Sequence, residues 1–203
     1  MQAIAGDTRV EVSTVDELRL TFTGPLQDEG GPFRESDKLQ PFIPRRFMAD
    51  YIKELRARIG HMKIVIPGVR GILVDDQRRV LLQRRSDTGH WGLPAGVVDV
   101  GDSVLNALSR EVNEETGLTV KRAELFGVYT DPRFSVTYPN GDQVQTFTVA
   151  FLVHEWSGEL SADSDEVTDV RFFPLDALPE NLYPIHKETL NDYLAFSGKP
   201  IVK

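Results

Sequence analysis

GVVDVGDSVLNALSREVNEETGL, Gly96 to Leu118, places Glu111, Glu114 and Glu115 within five positions. Ser103 is a good N-cap, and Asp102 before it puts negative charge at the positive end of a helix. Val104, Leu105, Leu108 and Val112 follow at a spacing of three to four residues, which makes one face apolar. Gly117 stands where a glycine ends a helix. The spacing predicts a capped helix over 103–116, about four turns at 3.6 residues per turn.

On that helix the three glutamates stand at i, i+3 and i+4, so their side chains converge. Neighbouring like charges cost a few tenths of a kcal/mol each, and the negative end of the helix dipole adds to the repulsion. A hard divalent cation such as Mg²⁺ relieves it, because it prefers oxygen ligands and is shared readily with phosphate. A solvated acidic face is the competing reading, and spacing alone leaves both open. The Pro/Gly turn WGLPAG, Trp91 to Gly96, can bring backbone carbonyls to the same patch and favours a metal site. Arg110, four residues before Glu114, can orient that carboxylate.

The bulk properties read as those of a soluble globular protein. The chain has 203 residues, 40% hydrophobic and 27% charged, enough for a real core. Its net charge of −8 argues against a general nucleic-acid binder. It does not argue against small phosphorylated ligands, since a bound cation reverses the local field. There is no cysteine, so disulfides, thiolate metal sites and thiol nucleophiles are excluded. Residues 1–20 show no charged region followed by an apolar run, and no stretch approaches the roughly 20 apolar residues of a membrane span. A cytoplasmic protein with no membrane partner is expected.

Outward from the helix, residues 9–23 alternate as a strand or hairpin, 24–44 read as a Gly/Pro-rich loop, and RRFMADYIKELRARIG (45–60) reads as a basic helix stopped by Gly60. We place a domain boundary near residue 60, with 1–60 as an N-terminal extension and 61–203 as the main domain. KIVIPGVRGILVDD and RRVLLQRR read as neighbouring strands joined around Asp76–Gln77. LTVKRAELFGVYT, VQTFTVAFLVHEW and VTDVRFFPL read as further strands, with Asn140-Gly141 as a hairpin turn. Pro184 opens a last helix with His186, Leu190, Tyr193 and Leu194 on one side. The pattern is α/β, a mixed sheet flanked by helices.

Gly96, Asp102, Arg110, Glu111, Val112, Glu114, Glu115, Gly117 and Leu118 fall on a longer pattern. It is Gly, five residues, Glu, seven residues, then Arg-Glu-apolar-any-Glu-Glu-any-Gly-apolar. This resembles the signature of the Nudix hydrolases, with one departure: Asp102 stands where that family has Glu. The resemblance covers about residues 63 to 180 and extends to LLQRRSDTGHWGLPAG before the signature.

The resemblance implies a Nudix-type α/β/α sandwich. It further implies a pyrophosphohydrolase cleaving a nucleoside diphosphate linked to another group, with Mg²⁺, or Mn²⁺ in its place, as cofactor. Nucleotide sugars, dinucleoside polyphosphates and nucleoside triphosphates all fit, and the LPAG spelling leans toward sugar nucleotides. On matching positions, Glu111, Glu114 and Glu115 resemble the metal-binding carboxylates, Gly96 the glycine whose carbonyl completes the coordination, and Arg110 the arginine that holds a glutamate. Asp102 would pair with that arginine. Glu166, before the last strand, is the candidate general base, with a solvated loop acid as its bland reading; Glu155 is a weaker candidate. Arg70, Arg84 and Arg85 are candidate phosphate contacts, each also readable as a strand-edge charge. Tyr138 is a candidate base-stacking residue, beside Tyr129 and Phe134, for which core packing or loop anchoring is the commoner role. Trp91 reads as core.

Basic residues dominate between Pro44 and Arg70, a solvated helix face, a cover for a phosphorylated substrate, or a partner for the acidic body of the same or a second subunit. A homodimer is expected, with residues 9–23 suited to strand exchange. The alternative function is a non-catalytic nucleotide-sensing or interaction module on the same fold, against which the intact glutamates argue. The isoprenoid diphosphate isomerases of this fold normally use a cysteine that is absent here.

Overall fold

Val69–Leu73 and Val80–Gln83 are almost uninterrupted buried runs, the mark of strands covered on both faces. The computed structural model describes residues 46–203 apart from Pro139 and Asp163, with side chains from Tyr51 onward. All of these belong to the unit Phe33–Lys203. The strand expected over 9–23 and the loop over 24–44 lie outside the described residues, and so does the dimer contact expected of them.

The first described element is helix α1 (Arg46–Ile59), followed by β1 (Ile64–Leu73), β2 (Arg79–Arg85), β3 (Trp91–Gly92) and β4 (Ala95–Val97). Helix α2 (Val104–Thr116) leads into β5 (Thr119–Tyr129), β6 (Ser135–Thr137), β7 (Gln143–Ser157) and β8 (Val167–Pro174). Helix α3 (Pro184–Leu194) and β9 (Ile201–Val202) follow. One sheet has the order β4-β1-β7-β5-β9, with β6 also paired to β7; the other has β3-β2-β8. β1 runs parallel to β7, and β5 to β9, while the remaining pairs are antiparallel. This is the mixed α/β architecture expected, divided into two sheets.

The division corrects the reading of β1 and β2 as neighbours. They meet at the bridge Val74↔Val80 and then separate into different sheets. Asp75 builds the turn between them, accepting from the backbone of Gln77 and Arg79 and bonding the Arg79 guanidinium at 2.8 Å. Each strand is buried on both faces, so each finds its neighbours elsewhere in the chain.

Two apolar clusters result. Val69, Leu73, Leu81, Leu108, Val112 and Phe151 form one beneath α2. Ile72, Leu82, Leu93, Phe126, Tyr129 and Leu190 form the other, against which residues of α3 pack. Burying each Leu or Val here contributes about 1.5–3 kcal/mol. Val104, expected on the buried face of α2, is exposed at the first position of the helix, and Ala107 takes the inner position. On α3 Leu194 is also exposed, and Thr189 completes the buried stripe with Leu190 instead.

At the end of α1 the Arg56 guanidinium donates to the carbonyls of Gly60, Met62 and Gln143 and pairs with Asp142 at 3.4 Å. This basic residue therefore caps α1 and ties it to β7. Tyr138 N–H donates to the Asp142 carbonyl across the expected Asn140-Gly141 turn. No described helix is long and apolar enough to cross a membrane.

Candidate active site

Helix α2 is set by its caps. Ser103 Oγ accepts from Asn106 N–H at 3.1 Å, and Gly117, at φ +76°, donates to the Asn113 carbonyl. Its apolar stripe rests on β1, and the adjoining stripe carries the motif side chains over β4. Glu111 and Glu115 are only 3% and 2% exposed, so this is not a solvated acidic face.

Arg110 is the hub. Its guanidinium donates to Glu111 Oε1 at 2.7 Å and to the Val97 carbonyl at 2.9 Å. It lies 3.3 Å from Asp99, 3.4 Å from Asp102 and 3.7 Å from Glu114. Four carboxylates thus gather around one guanidinium. Burial opposes the Arg110 charge, but Glu111, Asp99 and Glu114 outweigh it and hold its pKa above the ordinary arginine value. Asp102 makes the contact expected of it. Asp99, 8% exposed, was not singled out from the sequence; its acidic side chain two residues after Val97 was the available signal.

Gly96 meets this cluster from β4. A methyl there would lie 2.0 Å from the Glu111 carboxylate carbon, so the strand can approach α2 only because this residue is glycine. One residue earlier, Ala95 N–H donates to Glu115 Oε2 at 2.8 Å. Gln83 Nε2, from the buried face of β2, reaches Glu115 Oε1 at 3.4 Å. Neither contact was legible in the sequence, because both cross between elements.

The donor chemistry suits a hard divalent cation. Glu111, Glu114 and Glu115 are carboxylates on one helix stripe, and Gly96 adds a strand beside them. Among the described residues no three His, Cys, Asp or Glu side chains are gathered into a ready-made cage; Arg110 and the Ala95 amide draw the carboxylates instead. Mg²⁺ does not require such a cage, since it keeps waters and is commonly shared with substrate phosphate.

The other candidates are placed as follows. Arg85 is bonded twice to Asp87, at 2.9 and 2.7 Å, and those bonds raise its pKa against the effect of burial; the Glu115 charge contributes in the same direction. Arg84 is exposed and donates to the Gly89 carbonyl. Arg70 leaves β1 on the face opposite α2 and donates to Thr189 on α3. Glu166 is exposed, its carbonyl accepting from Ser86 N–H, which sets it next to Arg85 in the chain pairing. Glu155 pairs with Arg122 at 2.6 Å along the β5–β7 ladder. Tyr138 is exposed in the β6–β7 turn, while Tyr129, Phe134 and Trp91 are buried.

The NUDIX domain model matches residues 65–193, the span that carries both sheets, α2 and α3. The chain belongs to the NUDIX family. It is 34% identical over 132 residues to the ADP-ribose pyrophosphatase of Methanocaldococcus jannaschii, covering 64% of this chain and 73% of that one. It is 30% identical over 122 residues to a putative 8-oxo-dGTP diphosphatase of Bacillus subtilis, covering 60% and 75%. The crystal structure of a MutT NUDIX hydrolase from Burkholderia pseudomallei is similar with a TM-score of 0.54 at 31% identity, over 63% of this chain and 97% of that one. The chain is a NUDIX hydrolase, an enzyme of phosphoanhydride bonds, and its α/β/α sandwich is the fold of that family.

Proposed function

We propose that this NUDIX hydrolase is a Mg²⁺-dependent pyrophosphohydrolase of nucleoside diphosphates linked to a second group, with Mn²⁺ able to replace Mg²⁺. The observation that carries this reading is the gathering of Glu111, Glu114, Asp99 and Asp102 around Arg110, closed by Gly96. Glu111, Glu114, Glu115 and the Gly96 carbonyl would hold the cation, which supplies charge neutralisation at the phosphates. Arg110 keeps Glu111 and Glu114 in place. Glu166 takes a proton from water as the water oxygen bonds to phosphorus. The anhydride P–O bond breaks, its electron pair leaving with the second phosphate. Arg84, Arg85 and Arg70 contact phosphates, and Tyr138 contacts the base. The products are a nucleoside monophosphate and the phosphorylated second group.

A sugar nucleotide is the leading substrate class. The relative named as an ADP-ribose pyrophosphatase and the LPAG sequence before the motif both support it. The catalytic domain is residues 61–203, with 1–60 as an extension, and the enzyme acts as a homodimer on small nucleotides. The test is phosphate release from a panel of sugar nucleotides, dinucleoside polyphosphates and nucleoside triphosphates, coupled to phosphatase, with and without Mg²⁺. Metal-dependent turnover greatest on a sugar nucleotide is expected. Tight nucleotide binding with no turnover on any member would promote the sensing module instead.

A further inference from the structure

Gln83 is a buried amide on a strand face that begins with Leu81. Leu81 belongs to the apolar cluster beneath α2, and side chains two apart on a strand share a face, so Gln83 continues that face toward the helix. It is 1% exposed. Its backbone is paired on both sides, with Gly92 of β3 and Val170 of β8. The amide is therefore held where it stands.

One half of that amide has a partner on α2. Nε2 donates to Glu115 Oε1 at 3.4 Å, while Ala95 N–H donates to Glu115 Oε2 at 2.8 Å. The Ala95 amide is itself anchored through Pro94, whose carbonyl accepts from Gly71 N–H of β1 at 2.8 Å. Each oxygen of Glu115 is thus met by a donor from a different sheet. Both donors are neutral, so they orient the carboxylate without cancelling its charge, whereas Glu111 is held by the Arg110 guanidinium.

The other half of the amide meets nothing of the kind. Gln83 Oε1 is buried and has no hydrogen-bond partner among the described residues. Turning the amide over would set this oxygen against the Glu115 carboxylate, so Glu115 fixes which way it points. A buried acceptor left unpaired is destabilising, and a Met of similar volume would fill the space without that loss. A destabilising acceptor kept beside Glu115 fits a donor that arrives with a ligand. Mg²⁺ held by carboxylates keeps several waters, and each of those waters is a hydrogen-bond donor.

We propose that Gln83 is a positioning residue of the cation site: its amide N–H orients Glu115, and its Oε1 accepts from a water carried by the cation that Glu115 holds. The proposal rests on the reading of Glu111, Glu114 and Glu115 as cation ligands. It gives β2 a part in the site, since the outer partners of a metal ligand set its direction. The competing role is a tie between β2 and α2 with no bearing on cation binding.

The test follows the side-chain carbonyl carbon resonance of Gln83 in the full-length wild-type chain, stripped with EDTA and then titrated with Mg²⁺ without substrate. That carbon reports what Oε1 accepts, and it should move downfield as Mg²⁺ binds. Gln83→Met removes both hydrogen-bonding groups at nearly constant volume. It should weaken Mn²⁺ binding about tenfold or more, with the melting temperature not lowered. A carbonyl carbon unmoved while Mg²⁺ binds, or unchanged Mn²⁺ affinity in the variant, would overturn the proposal and leave the cation reading standing. Wild type that binds no Mn²⁺ would overturn both. The resonance experiment uses the wild-type chain and so does not depend on the variant folding.

Discussion

The α-carbon of Gly96 faces the carboxylate of Glu111 so closely that a methyl group would sit 2.0 Å from its carbon and 2.2 Å from Oε1. No rotamer of a flexible surface group absorbs that contact, because Glu111 is 3% exposed and also bonded to Arg110. Gly96→Ala must therefore push Glu111 or β4 aside. The expected cost is about 1–3 kcal/mol of stability from overpacking. A displaced carboxylate should lower kcat/KM by about 100-fold or more. Thermal melts and initial rates read the two effects, and wild-type activity in the variant would contradict the placement of Glu111.

Asp102 is shorter by one methylene than the residue the motif carries, and its oxygen stands 3.4 Å from Arg110 Nε. Asp102→Glu can close that gap without adding charge, so kcat/KM should stay within about threefold of wild type, under 1 kcal/mol. Asp99→Ala should be worse, because it removes a nearly buried partner of the same guanidinium. A stability loss of about 1–3 kcal/mol is expected, measured by urea denaturation. Equal stability for the two variants would show that Asp99 does not support Arg110.

His186 gives the stability curve a pH dependence of known sign. Its folded pKa lies well below 6.5, first through burial and then through Arg70 and Arg85. Below about pH 6.5 the unfolded chain takes up a proton that the folded one refuses, so stability falls as pH falls. The slope contributed approaches about 1.4 kcal/mol per pH unit. His186→Gln keeps an acceptor for Leu93 N–H but cannot titrate. The variant should lose stability less steeply than wild type between pH 6.5 and 5, and identical slopes would contradict the assignment.

How much was legible in the sequence followed the range of the interactions. The caps of α2, its glutamate stripe and the Arg110–Asp102 pair lie within one motif and could be read from spacing. The separation of β1 from β2 could not, since a hairpin-like turn looks the same whether its strands pair or part. Arg70 looked like a strand-edge charge because its partners come from β5 and α3, far along the chain. Gln83, Asp99 and His186 escaped for the same reason: each is defined by what another element brings to it. The family resemblance, read over about residues 63 to 180, stops short of the NUDIX domain match over 65–193, and the role of residues 1–60 lay beyond both.

The most direct test is Mn²⁺ binding, followed by the loss of the free-ion electron paramagnetic resonance signal, for wild type and Glu114→Gln without substrate. If the carboxylate cluster around Arg110 is a cation site, wild type binds Mn²⁺ and Mg²⁺ competes for it. Glu114→Gln then weakens binding at least about tenfold, near 1.4 kcal/mol, with the melting temperature little changed. Absence of binding, or equal binding by the variant, would contradict the site.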